Sequence, residues 1–275
     1  MTTTASSALP DLSSEYPLTS GQIEAYRRDG HIYLPQVCTP EEVATYRRAI
    51  TEAAYANFPD KGALHTRDSA GKAFLQTLNL RFKSEGVKAF VLSRRFGKIV
   101  ADLNGVDGVR IFHEQALFKE PGGSHSHWHQ DQYYWPLDTN QATGLWMPLI
   151  DVDLDMGPIQ YASGSHNDGY LGHYSISDES QDVFDTVIAD KGFQTWQQPM
   201  KAGDATFHNG WLIHGASPNK TQTMREAMIV TYYPEGTRVG ELLNPSRVND
   251  AKVYLGGRKP GELADSALNT VVYQR

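Results

Sequence analysis

Apolar and polar positions recur with two different periods along the chain, helical in the first third and strand-like afterwards. Thr19 and Gln22 have capping-box spacing, Ile23 and Tyr26 share a face, and Gly30 supplies a stop, which predicts a first short helix. His31 to Pro35 reads as a strand. Thr39, Pro40 and Glu42 open a second helix, carried by Val43, Tyr46, Ile50 and Ala53 to about Ala56. Ala73 to Phe82 reads as a strand holding Gln76 and Asn79, and Ile99, Val100 and Leu103 form an apolar helical stripe ahead of Gly105.

From Gly108 onward the runs are short, rich in β-branched and aromatic residues, and broken by Gly, Pro, Asn and Asp at turn positions. They are Val109 to Lys119, Gly144 to Asp151, Pro158 to Ala162, Asp204 to His208 and Glu226 to Tyr233. This pattern predicts a mainly β protein, a double-stranded β-helix or cupin-like jelly roll, with the N-terminal helices packed outside it. Between Asn167 and Ala202 a long polar stretch interrupts the strands, and Phe184, Val187 and Ile188 predict a helix within it, read as a lid.

Composition narrows the class. A length of 275 residues with 40% hydrophobic content suits one large domain, here 17–275, behind a Ser- and Thr-rich tail over 1–16 that is expected to be loose. The tail lacks the cationic start and apolar run of a secretory signal. A net charge of -7, with cationic clusters no longer than pairs such as Arg27-Arg28 and Arg94-Arg95, makes nucleic acid an unexpected partner. No run approaches a membrane span. Cys38 stands alone, so no intrachain disulfide forms, and a reducing cytoplasm fits.

The densest chemistry is His125-Ser-His-Trp-His-Gln-Asp131. On a strand, residues two apart share a face, so His129 and Asp131 can offer an imidazole and a carboxylate to one metal ion. His214, at the end of a later strand, is the expected third ligand. Two histidines and a carboxylate leave three positions of an octahedral metal open, the facial triad of non-haem iron(II) oxygenases. Arg225, eleven positions on, can pair bidentately with a dicarboxylic acid bound there.

Here the sequence resembles the phytanoyl-CoA dioxygenase family of 2-oxoglutarate-dependent oxygenases, from Leu18 to about Thr237. The resemblance rests on Glu114 to Gly122, Trp128-His-Gln-Asp131, Tyr134-Trp-Pro136, Trp146-Met-Pro-Leu149, Gly157-Pro158, Ala162 to His166, Gly203-Asp204, the stretch around His214, and Pro218-Asn219 before Arg225. It implies iron(II) held by His129, Asp131 and His214, 2-oxoglutarate anchored by Arg225, and dioxygen as the other co-substrate. It also places Gln76 and Trp146 near the co-substrate, with Gln130 a further candidate. A hydroxylic residue that the namesake enzyme carries two positions after the distal histidine is Ala216 here, and Ser217 is expected to compensate. Related halogenases have a small apolar residue at the position of Asp131, so the carboxylate favours hydroxylation or another oxidation over halogenation. The implied reaction is hydroxylation of a small organic molecule, of natural-product or secondary-metabolism type, with release of succinate and carbon dioxide.

Other signals point less sharply. His127, His129 and Asp131 also match part of the H-x-H-x-D-H pattern of metallo-β-lactamase-like zinc hydrolases, but Gln132 replaces the last histidine. A ligand-binding jelly roll without catalysis is the alternative outside enzymology. Asp151, Asp153 and Asp155 fail as a calcium loop because Ala162 stands where a bidentate glutamate belongs. His113, Gln115, Tyr133, Tyr134, His127 and Trp211 are candidate substrate contacts, each with a plainer reading as core, strand or backbone-bonded residue.

Overall fold

The computed structural model describes residues 8–59, 62–67, 69–172 and 174–275. Local capping sets the N-terminal helices. Thr19 caps α1 (Ser20–Asp29) with a reciprocal Gln22 contact, and Gly30 closes it in the left-handed conformation at φ 76°. After β1 (His31–Leu34), Thr39 and Glu42 form a second capping box on α2 (Pro40–Tyr55).

The expected strand over 73–82 is shorter than the pattern predicted. Ala73 ends α3 (Ser69–Ala73), and only β2 (Leu75–Leu78) is extended. Asn79, at φ 56°, then turns the chain into a 3-10 turn over Leu80–Phe82. Two helices follow, α4 (Glu85–Val91), absent from the periodicity reading, and α5 (Arg94–Asn104), which stops at Gly105 as expected.

The β region then runs β3 (Gly108–Lys119), β4 (Ser126–His129), β5 (Thr143–Pro148) and β6 (Ile159–Ala162). The predicted helix in the insertion is α6 (Asp178–Lys191). After it come β7 (Thr195–Trp196), β8 (Ala205–Asn209), β9 (His214–Ala216), β10 (Arg225–Pro234), α7 (Pro245–Tyr254) and β11 (Val271–Gln274). Neither α7 nor β11 was expected.

Among the described residues, one sheet orders β1-β8-β5-β10-β3-β11, with β2 also on β3, and a smaller one orders β4-β9-β6-β7. All pairings are antiparallel, as a double-stranded β-helix requires. Alternation divides the large sheet. Met228, Val230 and Tyr232 of β10, Leu145 and Met147 of β5 and Phe207 of β8 join the core built with the helices. The intervening Ala227, Ile229 and Trp146 join the cluster inside the roll. Every residue of β10 is therefore buried, and each large apolar side chain there contributes about 1.5–3 kcal/mol.

The stretch expected to be a loose tail is docked where it is described. Leu12 is buried, its carbonyl accepts from the Arg95 amide at 3.1 Å, and the Tyr46 hydroxyl donates to the Pro10 carbonyl at 2.6 Å. Residues 1–7 lie outside the described residues. Cys38 is a buried free thiol, and no helix among the described residues is long and apolar enough to cross a membrane.

Candidate metal centre

His129 is the last residue of β4, and Gln130 keeps the chain extended (φ -117°, ψ 120°) before Asp131 opens a 3-10 turn. Strand alternation thus carries one residue past the strand, putting His129 and Asp131 on one side. His214 opens β9 directly opposite His129 in the ladder. The His129 Nε2 lies 3.5 Å from Asp131 Oδ1, and the His214 Nε2 lies 3.6 Å from Asp131 Oδ2. One donor atom from each residue falls within 4.8 Å of the others.

The imidazoles are aimed by their own strands. His129 Nδ1 donates to the His127 carbonyl at 2.8 Å and His214 Nδ1 to the Leu212 carbonyl at 3.0 Å, so both Nε2 lone pairs face the centre. Burial and the neighbouring His129 hold His214 well below the usual imidazole range, in the neutral form that ligates metals. Burial works to raise Asp131, but His214, His129 and His208 around it hold its carboxyl well below the usual range. Two neutral imidazoles and a carboxylate, open on one side to a cavity of about 310 Å³, fit a divalent first-row metal.

His208 is a fourth member that sequence reasoning missed. It points inward from β8, with Nε2 3.4 Å from Asp131 Oδ2 and Nδ1 3.2 Å from the Tyr161 hydroxyl. Gly144 is its partner on β5, and a Cβ there would stand 2.5 Å from the His208 ring, so only glycine leaves it room. The usable signal was the alternation of Thr206 and His208 with Ala205 and Phe207.

Arg225 lines the same cavity and is 1% exposed. Its Nη1 donates to the Gly157 carbonyl at 2.9 Å and its Nη2 to the Leu117 carbonyl at 3.2 Å, Nε has no partner, and the Trp146 ring lies 5.5 Å away. Burial lowers it to about 10, still charged at neutral pH. Directly opposite on β3 sits Lys119, fully buried, its ammonium turned to the Ser124 carbonyl and the Ser126 hydroxyl. Burial and the Arg225 charge pull it down to about 6. Among the described residues no carboxylate pairs with either group. A buried guanidinium with no counter-ion, beside an amine that an incoming negative charge would help to protonate, is suited to receive an anion.

Of the other residues singled out from the sequence, Gln76, Gln115, Trp146, His113 and Tyr134 line the cavity. Gln76 donates to the Gln115 side chain across the β2–β3 edge. Five do not line it. Gln130 faces away from the triad, and its amide bonds the Gly169, Trp211 and Leu171 backbones, holding loops together. Ser217 turns to Gln197 at 3.1 Å, whereas Ser126, the ladder partner of Ala216, puts a hydroxyl in the cavity wall instead. Tyr133 packs against Tyr134 and gives its carbonyl to Asn244 and Arg247. Trp211 donates to Asn140 at 3.1 Å.

His127 is displaced by a bulge: Ser126 pairs with Ala216 and His129 with His214, so β4 spends one more residue than β9. Ser126 and His129 consequently face in, and His127 faces Asp178 of α6 at 2.8 Å. The zinc-hydrolase arrangement, which needs His127 beside His129, is thereby lost. Trp128 also faces α6, donating to Asp185 at 2.9 Å, so the helix expected as a lid is docked on the back of β4.

Two facing sheets that bring this donor set and a buried arginine to one cavity are the architecture of an iron(II)- and 2-oxoglutarate-dependent dioxygenase. The chain belongs to the phytanoyl-CoA dioxygenase (PhyH) family, whose family model matches residues 26–227. It is 24% identical over 221 residues to a methylphosphonate hydroxylase of Gimesia maris, across 78% of this chain and 80% of that one. The fold is shared with the non-haem alpha-ketoglutarate-dependent carbocyclase SnoK from nogalamycin biosynthesis, at TM-score 0.74 and 22% identity over 92% of this chain and 96% of that one. It is shared too with EctD from S. alaskensis, solved with 2-oxoglutarate and 5-hydroxyectoine, at TM-score 0.71 and 19% identity over 94% and 90%.

Gly157 ties the fold to this site. It sits at φ 69°, a Cβ there would lie 2.1 Å from the Ser217 carbonyl, and its own carbonyl holds Arg225. Gly157→Ala is expected to cost at least about 1–2 kcal/mol of stability and to weaken 2-oxoglutarate binding together. Thermal melting and co-substrate titration check this, and an alanine variant that matches wild type in both would remove Gly157 from the site.

Proposed function

We propose that this protein hydroxylates an unactivated C–H bond of a small organic substrate, of natural-product or secondary-metabolism type, with 17–275 acting as one oxygenase domain. One oxygen atom of dioxygen enters the substrate and the other enters succinate, formed from 2-oxoglutarate with loss of carbon dioxide. The observation that carries the reading is a three-donor cluster and an acid-free buried arginine facing one cavity.

His129, Asp131 and His214 would hold iron(II), which when bound supplies the dioxygen-activating chemistry. His208, braced by the Tyr161 hydroxyl, steadies Asp131 through Oδ2, the oxygen that also faces His214. Arg225 receives the distal carboxylate of 2-oxoglutarate, with Ser126 and Lys119 alongside and Trp146 beneath the guanidinium. Gln76 and Gln115 are placed to fix the co-substrate's flank. A carboxylate ligand at Asp131 favours hydroxylation or another oxidation over halogenation.

The test is anaerobic addition of iron(II) and 2-oxoglutarate to the protein. A broad visible charge-transfer band saturating at one equivalent of each is expected. Its absence, with both confirmed to be in solution, would overturn the co-substrate assignment.

A further inference from the structure

The cavity has chemically opposite ends. Arg225 lines one, and His113, six residues back along β3 from Arg225's ladder partner Lys119, lies about 20 Å from that partner at strand rise. At that second end the wall includes Tyr134, Trp135 and Tyr254 together with His113 and Asp250. Asp250 and Tyr254 sit one turn apart on α7, and the Tyr254 ring lies 5.0 Å from the His113 ring, so acid, ring and imidazole are neighbours.

Two polar groups there are unmatched. His113 is 4% exposed, and its Nδ1 has no hydrogen-bond partner. The described hydrogen bond of the half-buried Asp250 carboxylate is a long 3.3 Å contact from the Asn249 amide, and no cation pairs with it among the described residues. Arg247, on the same helix, is committed to the Gln132, Tyr133 and Glu241 carbonyls. Burial pushes Asp250 up to about 6 and His113 down to about 4, so near neutral pH this end of the cavity presents a carboxylate and an uncharged imidazole. A carboxylate among aromatic rings is the chemistry that binds ammonium groups, by charge pairing and by attraction to the ring faces.

We propose that this end of the cavity recognises a protonated amine on the primary substrate, with Asp250 as counter-ion, Tyr134, Trp135 and Tyr254 as walls, and His113 as a hydrogen-bond partner. The inference rests on the oxygenase reading and adds the substrate class. An amine held there would leave its carbon chain pointing back along the cavity towards Asp131, which lines the same wall. Anionic substrates would meet repulsion at the same place.

The test uses matched probes, primary alkylammonium ions from butyl to octyl and the carboxylates of equal length. Binding is read twice, by ligand-observed NMR on the metal-free protein with excess succinate present to occupy the Arg225 end, and by perturbation of the charge-transfer band in the anaerobic iron(II) and 2-oxoglutarate complex. In wild type the ammonium series is expected to bind at least about 10-fold tighter than the carboxylates, and Asp250→Asn to erase that preference. Asp250→Ala, checked by thermal melting, serves if the asparagine variant folds poorly. Equal binding of the two series in wild type, or a preference that survives both substitutions, would overturn the proposal. A missing charge-transfer band with the NMR preference intact would instead strike the oxygenase reading alone.

Discussion

His214→Ala is expected to abolish iron-dependent turnover. The residue supplies one of the three donors that cluster among the described residues, its Nδ1 is already spent on the Leu212 carbonyl, and the nearby His208 is tied to the Tyr161 hydroxyl through its other ring nitrogen. Loss of one imidazole from a three-ligand site weakens metal binding by about 100-fold or more. The consequence is visible without activity. Metal at 100 times its dissociation constant stabilises the native state by about 2.7 kcal/mol, so iron(II) should raise the wild-type melting temperature and leave that of the variant unmoved. The metal-free proteins should melt close together, because the ring borders a cavity rather than filling the core. A variant that retains iron through competition with a chelator would remove His214 from the site.

Arg225→Met is the second large effect, and its signature is a pair of opposite signs. Removing one partner of a buried charge pair costs about 2–5 kcal/mol, so the KM for 2-oxoglutarate should rise by about two to three orders of magnitude, with kcat changing less. Stability of the metal-free protein should hold or increase, because the guanidinium has only carbonyl partners, an orphan Nε, and Lys119 opposite. Arg225→Lys should restore only part of the affinity, since a point charge cannot match a carboxylate with two parallel bonds. If Arg225 were merely structural, the methionine variant would instead melt earlier and keep its KM. Steady-state kinetics in 2-oxoglutarate alongside thermal melting separates the two.

The parts of this molecule legible in the sequence are those written locally. The Thr19 and Thr39 capping boxes, the Gly30 and Gly105 stops and the H-x-D spacing all act within a few residues, and the folded chain shows them where they were expected. What escaped depends on pairing between distant segments. Nothing in His125 to Asp131 announces that β9 will run one residue short against β4, yet that mismatch turns His127 out and Ser126 in. Likewise Lys119 gains meaning only from facing Arg225, and His208 only from the gap at Gly144. The helix α7 went unseen for another reason: Val248 and Val253 point to solvent while Arg247 and Ala251 are buried, so its apolar residues mark the wrong face.

That helix also bears on how such an enzyme diversifies. The three proposed iron ligands and Arg225 all fall within residues 26–227, the span by which the family is recognised, whereas α7, carrying Asp250 and Tyr254 into the cavity wall, begins at Pro245. On the proposed reading the amine end draws on that span for His113, Tyr134 and Trp135 and on α7 for its counter-ion Asp250 and the Tyr254 wall. A change confined to α7 would thus remove the counter-ion while leaving the triad and Arg225 in place, a separation that a designer exchanging α7 could use.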